Sequence, residues 1–292
     1  MIAIVTDSSS QLSTDQAAQL SAHVVPLVIS IDDVDYAEGV DIDADGFYEI
    51  MATGEHRYAT SQPSPGRFLD AYRAAAEGGA SEIISVHIGS EHSGTVNSAS
   101  LAARRAPVPV RVIDTGTASY GVALCVERAA EIVAAGGSAA EAETVIEAFA
   151  PTIESVFIVQ ALDLARSSGR LRVELGTGAE PTLPVLATKG PDLTVVGSVT
   201  DLDSALDTMA GHILARGQTL RVALSIADRE SEPLWQGLRS RLEPNELVIE
   251  MTDYRVGPSV AAHLGRGTAG AFFTPSTILE AKGLEIEHEG SN

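Results

Sequence analysis

Ile2-Ala3-Ile4-Val5-Thr6-Asp7-Ser8-Ser9-Ser10 runs from four apolar residues straight into a polar turn. A short apolar run closed by turn residues reads as a buried strand. The chain beyond it repeats the pattern with helices between. Residues 15–22 read as a helix. Residues 24–31 are apolar and β-branched, and Asp32-Asp33 marks a hairpin turn. Residues 44–52 and 65–76 read as helices, the second with Pro65 suited to a first helical turn. A strand over 82–88, a helix over 93–105 and a strand over 110–113 follow. An Ala-rich helix over 118–135 then stops at Gly136-Gly137. Strands alternating with helices predict a mostly parallel sheet covered by helices. In such sheets ligands bind beyond the carboxyl ends of the strands, which puts Asp7 and Ser8 on the functional rim. A turn capping the next helix accounts for Asp7 equally well.

A further helix over 138–150 ends at Pro151, and the domain boundary is placed there. The division is an N-terminal α/β domain over 1–150, a C-terminal α/β domain over 151–282 and an acidic tail over 283–292. The second half opens with a strand over 155–159, a helix over 161–167 and a Gly-rich stretch through Gly178. Strands over 183–188 and 193–199 flank Gly190-Pro191-Asp192, a hairpin signal. A helix (201–216), a strand (220–226), a helix (230–242) and strands over 247–251 and 270–274 complete the expectation.

Composition narrows the function. The 292 residues are 45% hydrophobic and carry a formal net charge of −21. That field repels nucleic-acid phosphates and anionic lipid surfaces, so neither nucleic-acid binding nor stable membrane insertion is expected. No stretch reaches the roughly 18 unbroken apolar residues of a membrane span. The lone cysteine, Cys125, excludes an internal disulfide and reads as a small buried side chain. The opening residues read as a strand and not as a signal peptide, so a cytoplasmic location is the expectation. The seven histidines show no metal-ligand spacing.

Four polar segments remain as candidates for chemistry. Thr6-Asp7-Ser8-Ser9 follows the first strand. In Thr60-Ser61-Gln62-Pro63-Ser64-Pro65, Ser64 is a natural N-cap, leaving Thr60 and Ser61 free to point elsewhere. His87-Ile88-Gly89-Ser90-Glu91-His92-Ser93-Gly94-Thr95 leads from strand to helix. The amides of Gly94, Thr95 and Val96 would be unpaired there, a setting that favours an anion. It is neither a phosphate-binding loop nor a nucleophile elbow. The fourth, residues 257–267, is rich in glycine, which lets backbone approach a ligand, and carries His263.

Taken in order, these pieces resemble the DegV family over almost the whole chain. The matching stretches are Val5-Thr6-Asp7-Ser8-Ser9, Thr60-Ser61-Gln62-Pro63-Ser64, Ser93-Gly94-Thr95 with Ser98-Ala99, Asp114, Gly169-Arg170-Leu171 and Gly257…His263-Leu264-Gly265-Arg266-Gly267. The resemblance implies a two-domain α/β fold, with a mostly parallel Rossmann-like N-terminal sheet. It also implies a long-chain fatty acid as ligand, with no cofactor. The carboxylate would meet Thr60, Ser61, Ser93, Gly94, Thr95 and His263, with Asp7, Ser8 and Arg170 as support. Members resemble the fatty-acid-binding subunit of bacterial fatty acid kinase. That subunit presents the carboxylate to a separate ATP-dependent kinase, which makes acyl phosphate for phospholipid synthesis. Where many members carry a base after the second hairpin strand, this chain has Val199-Thr200-Asp201, which bears on kinase docking. Leu183-Pro184 replaces a usual Lys-Pro, and Arg266 a usual proline. Two other readings stay open. One is a hydrolase or transferase with Ser93 as nucleophile and His263 or His92 as base; the other is a lipid sensor without a kinase.

Overall fold

The structure, a computed structural model, describes residues 1–161, 182–190 and 192–276. The opening run is strand β1 (Ile2–Asp7). With β2 (Ala22–Val25), β6 (Glu82–His87) and β7 (Val110–Asp114) it forms a wholly parallel sheet in the order β2-β1-β6-β7. Alternate residues face opposite sides, and each side carries an apolar cluster. Ile4, Ile84 and Val86 pack on helices α5 (Tyr120–Ala134) and α6 (Ala139–Phe149). Ala3, Val5 and Ile83 pack on α3 (Pro65–Glu77) and α4 (Thr95–Ala103), through Phe68, Tyr72 and Ala99. A sheet covered on both faces needs strands that are largely apolar on both sides. Strands β1 and β6 supply Ile, Val and Ala there, and among their polar residues Asp7, His87 and Ser85 pair with one another. Each fully buried aliphatic or aromatic side chain contributes about 1.5–3 kcal/mol. Cys125 is fully buried in α5, as expected.

The expected strand over 24–31 is two strands. Pro26 has no N–H to donate and breaks the run. Before it, β2 joins the parallel sheet. After it, β3 (Val28–Ile31) lies at the centre of a separate antiparallel sheet, between β4 (Val34–Ala37) and β5 (Tyr58–Ser61). Asp32 and Asp33 turn the β3–β4 hairpin with φ of 47° and 70°, the left-handed pair a tight hairpin requires. The first helix, α1 (Thr14–Gln19), is shorter than expected. A capping box of Ser13 and Gln16 starts it, and Ser21 at φ 51° turns the chain into β2. Helix α2 (Ala44–Thr53) falls where the sequence predicts it.

The later residues form a six-stranded sheet in the order β10-β9-β8-β13-β11-β12. Its strands are β8 (Glu154–Ile158), β9 (Leu183–Lys189), β10 (Asp192–Val199), β11 (Leu220–Ile226), β12 (Val248–Arg255) and β13 (Ala269–Pro275). One face, with Val156, Val185, Val222 and Phe273, is sealed by α7 (Leu202–Leu214) and α8 (Glu232–Leu242). The other face carries Ser155, Phe157, Leu186, Thr188, Gly270, Phe272 and Tyr254. It rests partly on α5, where Tyr120 and Tyr254 stack with ring centroids 4.7 Å apart. Residues 257–267 differ from expectation. They contain a helix, α9 (Pro258–Leu264), with proline in its first turn and Gly265 at φ 76° ending it. The expected helix over 161–167, the Gly-rich stretch with Arg170, Pro191 of the hairpin turn and the acidic tail lie outside the described residues.

Candidate ligand-binding site

A cavity of about 710 Å³ lies against the uncovered face of the six-stranded sheet. That is within the usual range of ligand pockets, about 300–1,000 Å³. Leu27, Ile88, Phe157, Leu193, Val260 and Phe272 supply its apolar walls. Thr60, Ser61, Ser93, Gly94 and His263 meet in the same cavity, although they come from β5, the β6–α4 turn and α9. Among the described residues, no lysine or arginine lines it.

The contact that joins these segments is Thr60 Oγ1 to His263 Nε2, 2.9 Å long and spanning 203 residues of chain. The tautomer decides which atom donates. Helix α9 places His263. Its own first turn is held from outside: Gln11 Oε1 accepts the Gly257 N–H, and Glu38 Oε1 accepts the Ser259 N–H at 2.8 Å. Glu38 also accepts from the Ser8 hydroxyl, which in turn accepts the Leu27 N–H at 2.9 Å. Burial pushes the Glu38 carboxyl up to about 7, against the opposing pull of the Ser8 and Ser259 hydrogen bonds. No local sequence pattern around Glu38 or Gln11 announces this bracket, because their partners lie more than 200 residues away.

Ser93 is set by the β6–α4 turn. The N–H groups of His92 and Ser93 donate to Gly89 O, and Asp114 Oδ1 accepts from Ser90 and Gly116 N–H at 3.1 and 3.0 Å. The Ser93 hydroxyl lies 2.8 Å from the Thr95 hydroxyl and accepts the Thr95 N–H at 3.3 Å. Gly94 is the N-cap of α4, with no side-chain cap. Among the described residues the N–H groups of Gly94 and Val96 have no hydrogen-bond acceptor. They point their partial positive charge out of the helix start. Gln62 lies directly over Gly94, where any side chain would collide with it, and donates to Ser98 Oγ at 3.1 Å. Glycine at 94 thus lets the Thr60-Ser61-Gln62 strand end close down on α4.

Thr95 is fully buried and does not line the cavity; it orients Ser93. Asp7 and Ser8 stand behind the cavity, while Ser9 reaches it. Asp7 is fully buried. It caps the turn through the Ser9 N–H, and it accepts from the Ser9 hydroxyl and from the Ile88 N–H. It also meets His87 Nδ1 at 2.9 Å; His87 Nε2 meets Ser85 Oγ at 2.6 Å, and Ser85 meets the Tyr72 hydroxyl at 2.8 Å. This Asp–His–Ser chain has the connectivity of a hydrolytic triad. Every member is fully buried, however, and none borders the cavity, so it braces the strands β1 and β6. At Ser93 the hydroxyl bonds to Thr95, while His263 Nε2 bonds to Thr60. Arg170 lies outside the described residues.

The comparisons agree with this architecture. The model of the family described as "Uncharacterised protein, DegV family" matches residues 1–276. A DegV domain-containing protein of Deinococcus radiodurans is 35% identical, over 94% of this chain and 98% of its own length. One from Streptomyces coelicolor is 33% identical, over 92% and 96%. Among solved structures, a DegV family protein of Thermus thermophilus described as fatty-acid binding is 30% identical. It superimposes with a TM-score of 0.86, over 94% of this chain and 99% of that one. A stearic-acid-binding protein of Eubacterium ventriosum shares the fold at TM-score 0.84 and 24% identity, over 94% and 98%. With this parallel sheet, this cavity and these matches along its length, the chain belongs to the DegV family.

Proposed function

We propose that this protein binds one long-chain fatty acid. Its acyl chain would lie along the sheet wall, and its carboxylate would meet Thr60, Ser61, Ser93, the Gly94 N–H and His263. The observation that carries this reading is the Thr60–His263 contact in a cavity that Leu27, Ile88, Phe157, Leu193, Val260 and Phe272 also line. A carboxylate is ionised at neutral pH and needs donors once it leaves water. Hydroxyls, an imidazole and helix-start amides are such donors, each charge-assisted bond being worth about 1.5–3 kcal/mol. The chain contributes more. At about 0.8 kcal/mol per buried CH₂, a sixteen-carbon tail gains on the order of 10 kcal/mol before entropic costs. The Thermus thermophilus relative, described as fatty-acid binding at 30% identity, supports the same ligand class.

The wider role follows from the family resemblance: a carrier that presents the carboxylate to a separate ATP-dependent kinase for acyl-phosphate formation. The division into two folding units near residue 150 belongs to the same proposal. Native mass spectrometry of the purified protein is the direct test. One fatty acid per chain is the expected mass increment. A chain that neither co-purifies with a fatty acid nor takes one up on addition would overturn the reading. Acyl phosphate formed only when a kinase fraction and ATP are added would establish the carrier role.

A further inference from the structure

One stretch of the cavity wall is out of keeping with a hydrocarbon ligand. Ser155 of β8 pairs with Thr188 of β9 in the sheet register, and the two side chains share a face. Their hydroxyls are 2.6 Å apart. On one side Ser155 is paired with Phe272, and on the other Thr188 is paired with Leu193. All four residues line the cavity. A polar pair thus sits between two apolar side chains on the wall where the acyl chain would run. Ser155 is only 4% exposed, so water does not freely serve it.

The hydrogen-bond count leaves this pair incomplete. Two hydroxyls carry two donor hydrogens, and one is used between them. Among the described residues neither oxygen has another partner. One O–H donor and several lone pairs therefore face the cavity unused. Two other polar side chains on this wall differ in that respect. Ser225 accepts the Gly270 N–H at 2.8 Å and donates to Gly270 O at 3.1 Å. Thr268 donates to the carbonyls of Leu264 and Gly265. A saturated chain laid over Ser155 and Thr188 would cover a donor without satisfying it, which is unfavourable. An oxygen on the chain at that point would accept the spare hydrogen and donate its own.

We propose that Ser155 and Thr188 form a second polar subsite of this cavity, and that the preferred ligand is a fatty acid bearing a hydroxyl along its chain. This rests on the fatty-acid reading above and narrows its substrate class. The test is a competition titration of the full chain with stearate and with monohydroxystearates whose hydroxyl is stepped along the chain. One positional isomer is expected to bind at least about fivefold more tightly than stearate, the size of a single satisfied hydrogen bond. In Ser155→Ala/Thr188→Val that ratio is expected to fall to about one. The single variants Ser155→Ala and Thr188→Val serve should the double variant fail to fold. No isomer outcompeting stearate in the wild-type chain would overturn the proposal, as would a preference that survives both substitutions. If neither stearate nor any isomer binds, the fatty-acid reading itself falls, a different result from equal binding of both.

Discussion

Two of the histidine–hydroxyl clusters in the molecule, at His87 and at His263, have opposite surroundings. His87 lies between Asp7 and Ser85 with every member fully buried. His263 lies against Thr60 on the wall of the cavity. The residue types are nearly the same. In the sealed cluster each donor and acceptor has a protein partner, so the chemistry is used up in holding β1 to β6. In the open cluster the Thr60 hydroxyl, His263 and the Gly94 amide, which has no acceptor among the described residues, line the cavity. The difference teaches that a Ser, His and Asp in hydrogen-bond reach do not make a site. Access and spare hydrogen-bonding capacity do.

This contrast can be broken in three ways. The largest effect is expected from His87→Ala. It leaves Asp7 and Ser85 buried with a lost partner and opens a cavity beside Phe68, whose ring lies 4.9 Å from His87. A loss on the order of 3–5 kcal/mol is expected in urea unfolding. His263→Ala, at a half-buried position, should cost less than about 1 kcal/mol by the same measurement. Equal losses from the two would erase the distinction between strut and site.

Next in size is the pH dependence carried by Glu38, which brackets the start of α9. Its carboxyl sits at about 7 in the fold, against an ordinary value of 4.5. Between those values the unfolded chain has released this proton while the fold keeps it. Stability is therefore lost as pH rises through that window, and the loss is complete above about 7. A displacement of this size corresponds to about 3 kcal/mol. Burial raises the Glu127 carboxyl to about 7 as well, so it adds a contribution of the same sign. Glu38→Gln keeps the acceptor for the Ser259 N–H and removes the titration. Urea unfolding from pH 5 to 8 should show a shallower fall in the variant; identical slopes would refute the role given to Glu38.

The smallest effects belong to the open cluster. Thr60→Ala and Ser93→Ala should each leave the unfolding midpoint within a degree or two. Each should weaken fatty-acid binding about tenfold, the value of one charge-assisted hydrogen bond. Isothermal titration with a single fatty acid measures both. A double variant that binds as tightly as the parent would mean the headgroup sits elsewhere.

Much of the fold is readable from local patterns. The β1 run and its Thr6–Ser10 turn, the alternation that follows, Ser64 capping α3 ahead of Pro65 and the Asp32-Asp33 hairpin all depend on neighbours a few residues apart. Pro26 was a legible break, and Pro258 with Gly265 a legible helix, yet the apolar run in one case and the glycines in the other masked them. Strand β5 was harder. Its four residues alternate only weakly, and it exists because Ile29 and Ile31 offer it a sheet edge.

Residue types and their local order thus determined on their own that the first half of the chain forms a parallel sheet covered by helices. They also determined that hydroxyls gather after its strands, because periodicity and turn chemistry act over a few residues. Only tertiary structure decided which hydroxyls face a cavity. Thr60 meets His263 across 203 residues, Asp7 meets His87 across 80, and Ser155 meets Thr188 across 33. Such contacts arise from the packing of whole sheets and helices, and no short-range pattern encodes whether a polar group ends buried, satisfied or waiting for a ligand.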